Sequence, residues 1–339
     1  MYSCPMKALV YTANEEMTYR DEPPPRPGPG DALIAIDSVG ICGSDMHAYL
    51  GHDARRTPPL ILGHEAVGTV MQGPQSGQKV LLNPLITCGK CRDCLGGRQN
   101  LCAQRDLIGM VRPGAFAEQI AIPERNLIPL PPGMDAHKAA LTEPAATALH
   151  AVALAEKSLA RSISETRALV IGGGSVGLLC ALILQDKGVG EVHLAETNAL
   201  RRDAVRDRGG WRGDGLRVFD PLADRPAAAV FDVVFDAVGG ATTRTTSVQC
   251  IRPGGVIVHI GLLNAEGELD VRAMTLQEIT FIGSYTYTPN DLRIALGKLH
   301  SGALGELGWL EQRPLANGAR AFKNLLQGKC PAPKIILKI

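Results

Sequence analysis

The sequence has no marked excess of basic or acidic residues. Its 339 residues contain 35 Lys and Arg against 34 Asp and Glu, which leaves a formal net charge of +1. Proteins that bind nucleic acid or an anionic membrane usually carry a clear basic excess. The balance therefore argues against both kinds of partner.

It also lacks a targeting segment and an unbroken hydrophobic span. The amino-terminal "MYSCPMKALVYT" has neither the charged start nor the apolar core of a signal peptide. The longest mostly apolar run, "ALVIGGGSVGLLCALIL", approaches the length of a membrane span, but Gly-Gly-Gly-Ser divides it into a strand and a helix. We therefore expect a cytoplasmic protein, in which thiols stay reduced.

The composition is that of an ordinary globular protein, with 45% hydrophobic and 20% charged residues. The length is sufficient for about two domains.

Four of the nine cysteines form a C-x2-C-x2-C-x7-C cluster, made of Cys88, Cys91, Cys94 and Cys102. In a reducing compartment such a cluster favours a metal over disulfides. Iron–sulfur proteins use a shorter last gap followed by proline, and nucleic-acid zinc ribbons use two separated C-x2-C pairs. The pattern therefore predicts a structural zinc, with four thiolates and no open coordination position.

Two upstream fragments, "GICGSDMHAYL" and "LGHEAVGTV", and a later one, "LTEPAATALH", offer a second set of metal ligands. Cys42, His64 and one carboxylate would make a three-ligand zinc site that leaves a position for water or a substrate oxygen. The carboxylate is Glu65 or Glu143, and the sequence does not choose between them.

A nucleotide-binding motif lies in "RALVIGGGSVGLLCALILQDKGVGEVHLAE". A strand leads into G-x-G-x-x-G, a helical stretch follows, and a second strand ends in an acid, as in dinucleotide-binding folds. Gly172 permits the tight turn, Gly174 lets the backbone approach the pyrophosphate, and Gly177 lets helix and strand pack closely. Ser175 and Val176 belong to the helix start where the pyrophosphate would bind.

The acid of this motif is Glu196. It would accept hydrogen bonds from the adenosine ribose hydroxyls and repel a 2′-phosphate, which favours NAD over NADP. Arg201 is a further cofactor-binding candidate, because a nearby arginine can accept a 2′-phosphate. We prefer to interpret Arg201 and Arg202, in "LRRDAVRDRGG", as the solvated face of a helix. Later strand patterns, "FDVVFDAVGG" and "GGVIVHIGL", predict a doubly wound parallel sheet.

These motifs in this order resemble the zinc-dependent medium-chain alcohol dehydrogenase family, and most of all its polyol, sugar-acid and threonine dehydrogenases. The resemblance implies an α/β protein with a GroES-like β-rich catalytic domain at 1–147 and 286–339. A Rossmann domain with a doubly wound parallel sheet would occupy 148–285 and bind NAD. It also implies two zinc ions per chain and a homodimer or homotetramer.

The resemblance also assigns roles. Cys42 and His64 match catalytic zinc ligands, Glu65 matches an acid that ligates zinc in several branches, and Glu143 matches an acid close to the metal.

Three neighbours of Cys42 match the residues that handle the substrate proton. Ser44 matches the hydroxyl that takes this proton, His47 the outer relay histidine, and Asp45 a residue that orients a zinc ligand. The implied reaction is NAD-dependent oxidation of a secondary alcohol, a polyol or a sugar acid such as a hexonate, to a ketone. Threonine 3-dehydrogenase-like activity, a zinc-independent reductase and a non-enzymatic NAD- and zinc-binding regulator are the alternatives.

Overall fold

The computed structural model describes residues 4–339. Residues 1–3, which open the amino-terminal segment and the first predicted domain, lie outside the described residues. Within 4–339, no helix is both long enough and apolar enough to cross a membrane.

Short strands make up most of both ends of the chain, and longer helices occupy the middle. The strands are β1 (Met6–Ala13), β2 (Glu16–Glu22), β3 (Asp31–Gly40), β4 (Leu60–Ile61), β5 (Glu65–Gln72), β6 (Lys79–Leu82), β7 (Leu85–Ile86), β8 (Asp106–Leu107), β9 (Gln119–Pro123), β10 (Leu127–Pro129), β11 (Arg167–Ile171), β12 (Glu191–Ala195), β13 (Leu216–Phe219), β14 (Phe231–Asp236), β15 (Ile251–His259), β16 (Thr280–Gly283), β17 (Leu310–Pro314) and β18 (Lys334–Lys338). The α-helices are α1 (Gly43–Tyr49), α2 (Arg92–Leu95), α3 (Ala136–Ala139), α4 (Thr142–Ser158), α5 (Ser175–Asp186), α6 (Ala199–Arg208), α7 (Ala241–Cys250), α8 (Val271–Leu276), α9 (Pro289–His300) and α10 (Gly318–Leu326).

A seven-stranded sheet joins the two ends of the chain, in the order β10-β6-β5-β3-β18-β17, with β9 also paired to β3. Strand β3 alternates buried and half-buried residues along most of its length, the pattern of a strand with one face in the core. The carboxy-terminal strand β18 pairs antiparallel with β3, and Ile336 lies opposite Gly40. This pairing brings the last residues of the chain to the end of β3, where Cys42 follows.

The second large sheet has six strands in the order β13-β12-β11-β14-β15-β16, and every pairing in it is parallel. All six residues of β14 are buried, as expected for a central strand covered by helices on both faces. The predicted doubly wound parallel sheet is therefore confirmed. Its strand order reverses at β11, whose carboxyl end is the place where nucleotides bind in such sheets.

One large core cluster joins α4, α5 and α9 with the strands of the parallel sheet. The buried face of α4 is rich in alanine, including Ala145, Ala148 and Ala151, all without solvent exposure. These small side chains let α5 and α9 pack closely on it. Helix α4 begins beside the metal cluster described below, so this packing fixes the position of its first turn.

Candidate metal centres and nucleotide site

The structure brings together Cys42, His64 and Glu65, whose ligand atoms all lie within 4.8 Å of one another. Cys42 is the amino-terminal cap of α1, directly after β3. Glu65 begins β5 and lies opposite Gly40 in the sheet. A Cβ at residue 40 would lie 1.9 Å from Glu65 Oε2, so glycine there leaves room for the carboxylate.

A buried lysine that sequence reasoning missed holds Glu65. Lys334 Nζ donates to both carboxylate oxygens at 2.7 Å and to the carbonyl of Ile41 at 2.8 Å. Both charged side chains are buried, so each compensates the charge of the other. The signal was Lys334, the first of the two lysines in the otherwise apolar stretch "KIILKI".

Asp45 lies behind His64, as the resemblance implied. Its Oδ1 is 3.5 Å from His64 Nδ1, and its Oδ2 accepts a hydrogen bond from the Cys42 backbone N–H at 3.0 Å. Asp45 Oδ1 and His64 Nδ1 are both buried without a hydrogen-bond partner. Burial alone would raise the pKa of Asp45, but His64 and Arg56 outweigh it and hold that pKa below its usual value. An ionised Asp45 facing Nδ1 leaves Nε2 of His64 free for a metal.

Glu143 lies in the first turn of α4 and is buried. Burial raises its pKa to about 7, and the negative charge of Glu65 adds to the shift. Buried Tyr287 lies beside Glu143, a neighbour that sequence reasoning missed, and burial together with the charge of this carboxylate raises the pKa of Tyr287. Glu143 thus lies close to the cluster of Cys42, His64 and Glu65. The carboxylate within 4.8 Å of the other ligand atoms is that of Glu65.

Ser44 and His47 share helix α1 and are three residues apart, which places them on neighbouring positions of one helical side. Arg56, buried and also missed, donates to the Ser44 carbonyl at 3.0 Å and to Ser44 Oγ at 3.3 Å. His47 is half-buried, and this burial lowers its pKa below 6.5.

The four clustered cysteines converge in three dimensions, with all four sulfurs within 4.8 Å of one another. Cys88 Sγ lies 3.8 Å from Cys94 Sγ and 3.6 Å from Cys102 Sγ. A tetrahedron with Zn–S bonds of about 2.3 Å has edges of about 3.8 Å. The spacing therefore fits a zinc ion, and it is far too long for disulfides.

The thiols of this loop differ in acidity. Backbone hydrogen bonding at Lys90 and Cys91 lowers the pKa of the Cys88 thiol to about 6, whereas burial raises that of Cys94 to about 11. A thiolate is the form that binds zinc.

The glycine-rich turn between β11 and α5 has the form that the motif predicts. Gly172 has φ of 101°, a conformation that favours glycine, and a Cβ on Gly177 would lie 1.9 Å from the Gly172 carbonyl oxygen. A Cβ on Gly174 would meet no atom within 4 Å, so the backbone at the start of α5, next to Ser175 and Val176, faces open space.

Glu196 directly follows β12 and lies against this turn. Its Oε2 accepts a hydrogen bond from the Gly173 N–H at 2.9 Å, and its Oε1 accepts one from the Asn198 N–H at 2.7 Å. Arg201 NH1 is 3.3 Å from Glu196 Oε2. The preferred interpretation of the two arginines as a solvated face is wrong, because Arg202 donates to the Glu196 carbonyl and pairs with Asp220.

Comparisons with known proteins agree with this geometry. Residues 28–132 match the family described as "Alcohol dehydrogenase GroES-like domain", and residues 175–301 match "Zinc-binding dehydrogenase". L-galactonate-5-dehydrogenase of Escherichia coli is 33% identical over 84% of this chain and 85% of its own. L-threonine 3-dehydrogenase of Xanthomonas axonopodis pv. citri is 32% identical over 83% of this chain and 84% of its own.

A solved zinc-binding dehydrogenase from Sinorhizobium meliloti, bound to NADP, superposes with a TM-score of 0.85 at 28% identity. The alignment covers 99% of this chain and all of that one. The expected combination of a GroES-like domain with a Rossmann-type parallel sheet is thus confirmed. The chain belongs to the zinc-dependent medium-chain alcohol dehydrogenase family.

Proposed function

We propose that the protein oxidises a secondary alcohol of a sugar acid or polyol to a ketone, with zinc and NAD as cofactors. The observation that carries this proposal is the cluster of Cys42, His64 and Glu65 beside the Ser44 hydroxyl. Three ligands of this kind leave one coordination position for a substrate. Glu143 is the neighbouring acid, which can take part in binding the metal directly or through water.

In the bound enzyme, zinc supplies Lewis acidity and the nicotinamide accepts the hydride. The residues of the chain handle the proton. Ser44 Oγ takes the proton of the substrate alcohol. Arg56 donates to the same oxygen at 3.3 Å, and its positive charge favours the onward loss of a proton from Ser44. His47 passes the proton to water. Its lowered pKa keeps the imidazole unprotonated near pH 7, so the ring can accept a proton and release it again.

NAD is the proposed cofactor because Glu196 lies where an adenosine ribose would bind. A 2′-phosphate would be repelled by this carboxylate. Arg201, held at the same carboxylate, would then contact a ribose hydroxyl rather than a phosphate.

Threonine 3-dehydrogenase activity is the second candidate, and it is favoured by the relative at 32% identity. Its substrate also combines a carboxylate with a secondary alcohol, so the same chemistry would serve both.

We further propose that the catalytic domain comprises 1–147 and 286–339 and the Rossmann domain 148–285, in a cytoplasmic homodimer or homotetramer. The edge strand β16 supports an oligomer. Exposed apolar side chains lie before it in the chain, at Leu262, Leu263, Val271 and Leu276. Such a patch beside a free strand edge fits contact with a second copy. Sedimentation would distinguish the dimer from the tetramer, and a monomer would refute both.

The proposed function is tested by adding NAD and a panel of hexonates, hexitols and L-threonine to the zinc-loaded protein and recording reduced nicotinamide. Turnover of a hexonate or hexitol supports the first candidate. Turnover of L-threonine alone supports the second, and no turnover of any alcohol contradicts both.

A further inference from the structure

Two arginines, Arg55 and Arg105, have no part in the chemistry just described, and a third, Arg56, links the first of them to Ser44. Arg55 donates to Asp53 through Nε at 2.8 Å and through NH2 at 3.0 Å. Arg56 NH1 donates to the other side of the same carboxylate at 2.9 Å. One carboxylate between two guanidinium groups leaves a surplus of positive charge beside the proposed proton acceptor.

Arg105 approaches from the four-cysteine lobe. Arg105 lies over the ring of Tyr285, with Cζ 4.8 Å from the ring centroid, and its Nε donates to the Tyr285 hydroxyl at 3.4 Å. Its NH1 donates to the Cys102 carbonyl at 2.9 Å. Among residues 4–339 no carboxylate pairs with Arg105, so its charge is available to a ligand.

Tyr285 connects this arginine with the metal cluster. Asn100 Nδ2 donates to the Tyr285 carbonyl at 3.0 Å, which ties the segment to the four-cysteine lobe. Two residues later, buried Tyr287 lies beside Glu143 and within electrostatic range of Glu65 and Cys42. Thr286, between the two tyrosines, has φ of 48°, an unfavourable conformation for threonine.

Arg55 and Tyr285 link the two groups of residues, because they lie within electrostatic range of each other. The hydrogen bonds that Arg55 donates to Asp53 are the main reason why the pKa of Arg55 is raised, and Tyr285 adds a smaller electrostatic contribution. One side of the site therefore runs from Ser44 through Arg56 and Asp53 to Arg55. The other side runs from Glu143 through Tyr287 and Tyr285 to Arg105. Both arginines at the rim, Arg55 and Arg105, are exposed.

We propose that Arg105 and Arg55, on either side of Tyr285, form a subsite for the anionic end of the substrate, the carboxylate of a sugar acid. The inference rests on the proposed function and narrows it to anionic alcohols. An open-chain hexonate places its carboxylate several bonds from the alcohol near its other end, so one end can be at the metal while the other reaches the rim. Guanidinium groups match a carboxylate in shape and charge.

The test compares two substrates that differ in this group alone, galactonate and galactitol, in the zinc-loaded enzyme with NAD. In Arg105→Met, we expect the ratio of kcat/KM for galactonate to that for galactitol to fall by about 10- to 100-fold, the usual effect of losing one charged hydrogen bond. The loss should lie in KM, because the carboxylate is bound equally before and during the reaction. Arg55→Gln should cause a smaller fall, since Asp53 already neutralises part of that charge.

Matched variants separate charge from structure. Arg105→Lys keeps the charge and should restore a large part of the ratio. Arg112→Gln removes an arginine of the same lobe that is already paired with Asp106, and it should leave the ratio unchanged. Equal losses on both substrates in Arg105→Met would overturn the subsite, because they would assign Arg105 to structure.

Failure of the subsite and failure of the proposed function give different results. Turnover of galactitol with no preference for galactonate would refute the subsite and leave the dehydrogenase intact. If neither is oxidised, calorimetric binding of galactonate to wild type and Arg105→Met still decides the subsite, with equal affinities refuting it. If a galactitol phosphate binds more tightly than galactonate, the subsite recognises a phosphate, and the proposal of a carboxylate subsite is refuted.

Discussion

Lys334 Nζ lies 2.7 Å from both carboxylate oxygens of Glu65, although 269 residues separate the two in the chain. Both side chains are buried, and Glu65 is at the same time one of three residues whose ligand atoms cluster as a metal site. The lysine thus fixes the carboxylate in position. It also offsets the excess negative charge that Cys42 and Glu65 bring to the metal.

Replacement of this lysine should destabilise the protein. Lys334→Met leaves Glu65 buried without its partner, and we expect the free energy of unfolding to fall by about 3–5 kcal/mol. Urea denaturation measures the change, with Lys338→Met, at an exposed position of the same strand, as the control. Adding Glu65→Gln to Lys334→Met should recover part of the loss. Equal stability of Lys334→Met and Lys338→Met would contradict a structural ion pair.

The stability of zinc-depleted protein should depend on the protonation of Glu143. Its pKa rises from 4.5 to about 7 on folding, so between these pH values the folded chain keeps a proton that the unfolded chain has lost. The free energy of unfolding therefore falls as pH increases through this window, by about 3 kcal/mol in total. Glu143→Gln should lack this component. Parallel stability curves for wild type and variant, both zinc-depleted, would show that Glu143 titrates normally.

The clustered motifs were predictable because the residues that act together are close in sequence. The cysteines of the zinc lobe share one loop, and Gly172 to Gly177 share one turn. The contacts of Glu65 with Lys334, Glu143 with Tyr287 and Ser44 with Arg56 depend on how β18, α9 and the loop after α1 pack. No local pattern encodes these contacts.

The error over Arg201 and Arg202 has a similar cause. An arginine-rich helix face has the same sequence pattern whether it meets water or the backbone of a preceding loop. Only the position of Glu196 against the glycine-rich turn, with Asn198 capping α6, shows that these guanidinium groups turn back onto the nucleotide site.

Coenzyme preference should depend on Glu196. Glu196→Ala removes the proposed ribose acceptor and the repulsion of a 2′-phosphate, so KM for NAD should rise about tenfold and KM for NADP should fall. Because the carboxylate also accepts from the Gly173 N–H, Glu196→Gln tests the charge while keeping an acceptor. Asp203→Ala, at an exposed site of α6, the helix that follows Glu196, is the control. A wild type that already prefers NADP would refute the proposed role and make Arg201 the phosphate ligand.

Proton transfer through His47 should appear in the pH profile. His47→Gln should retain zinc and NAD binding but slow alcohol oxidation, with the largest loss below about pH 8, where water is a poor proton acceptor. Small buffer bases should restore part of the rate. A variant slowed equally at every pH and indifferent to added base would assign His47 to packing.

We expect one chain to carry a catalytic zinc at Cys42, His64 and Glu65 and a structural zinc at the four-cysteine lobe. Zinc content, measured beside NAD-dependent activity in wild type, Cys42→Ser and Cys94→Ser, tests it most directly. We predict two zinc ions in active wild type. Cys42→Ser should hold one, lose activity and keep its stability, whereas Cys94→Ser should lose a zinc together with stability and solubility. One zinc in fully active wild type, or the same loss of folding in both variants, would contradict the two-site account.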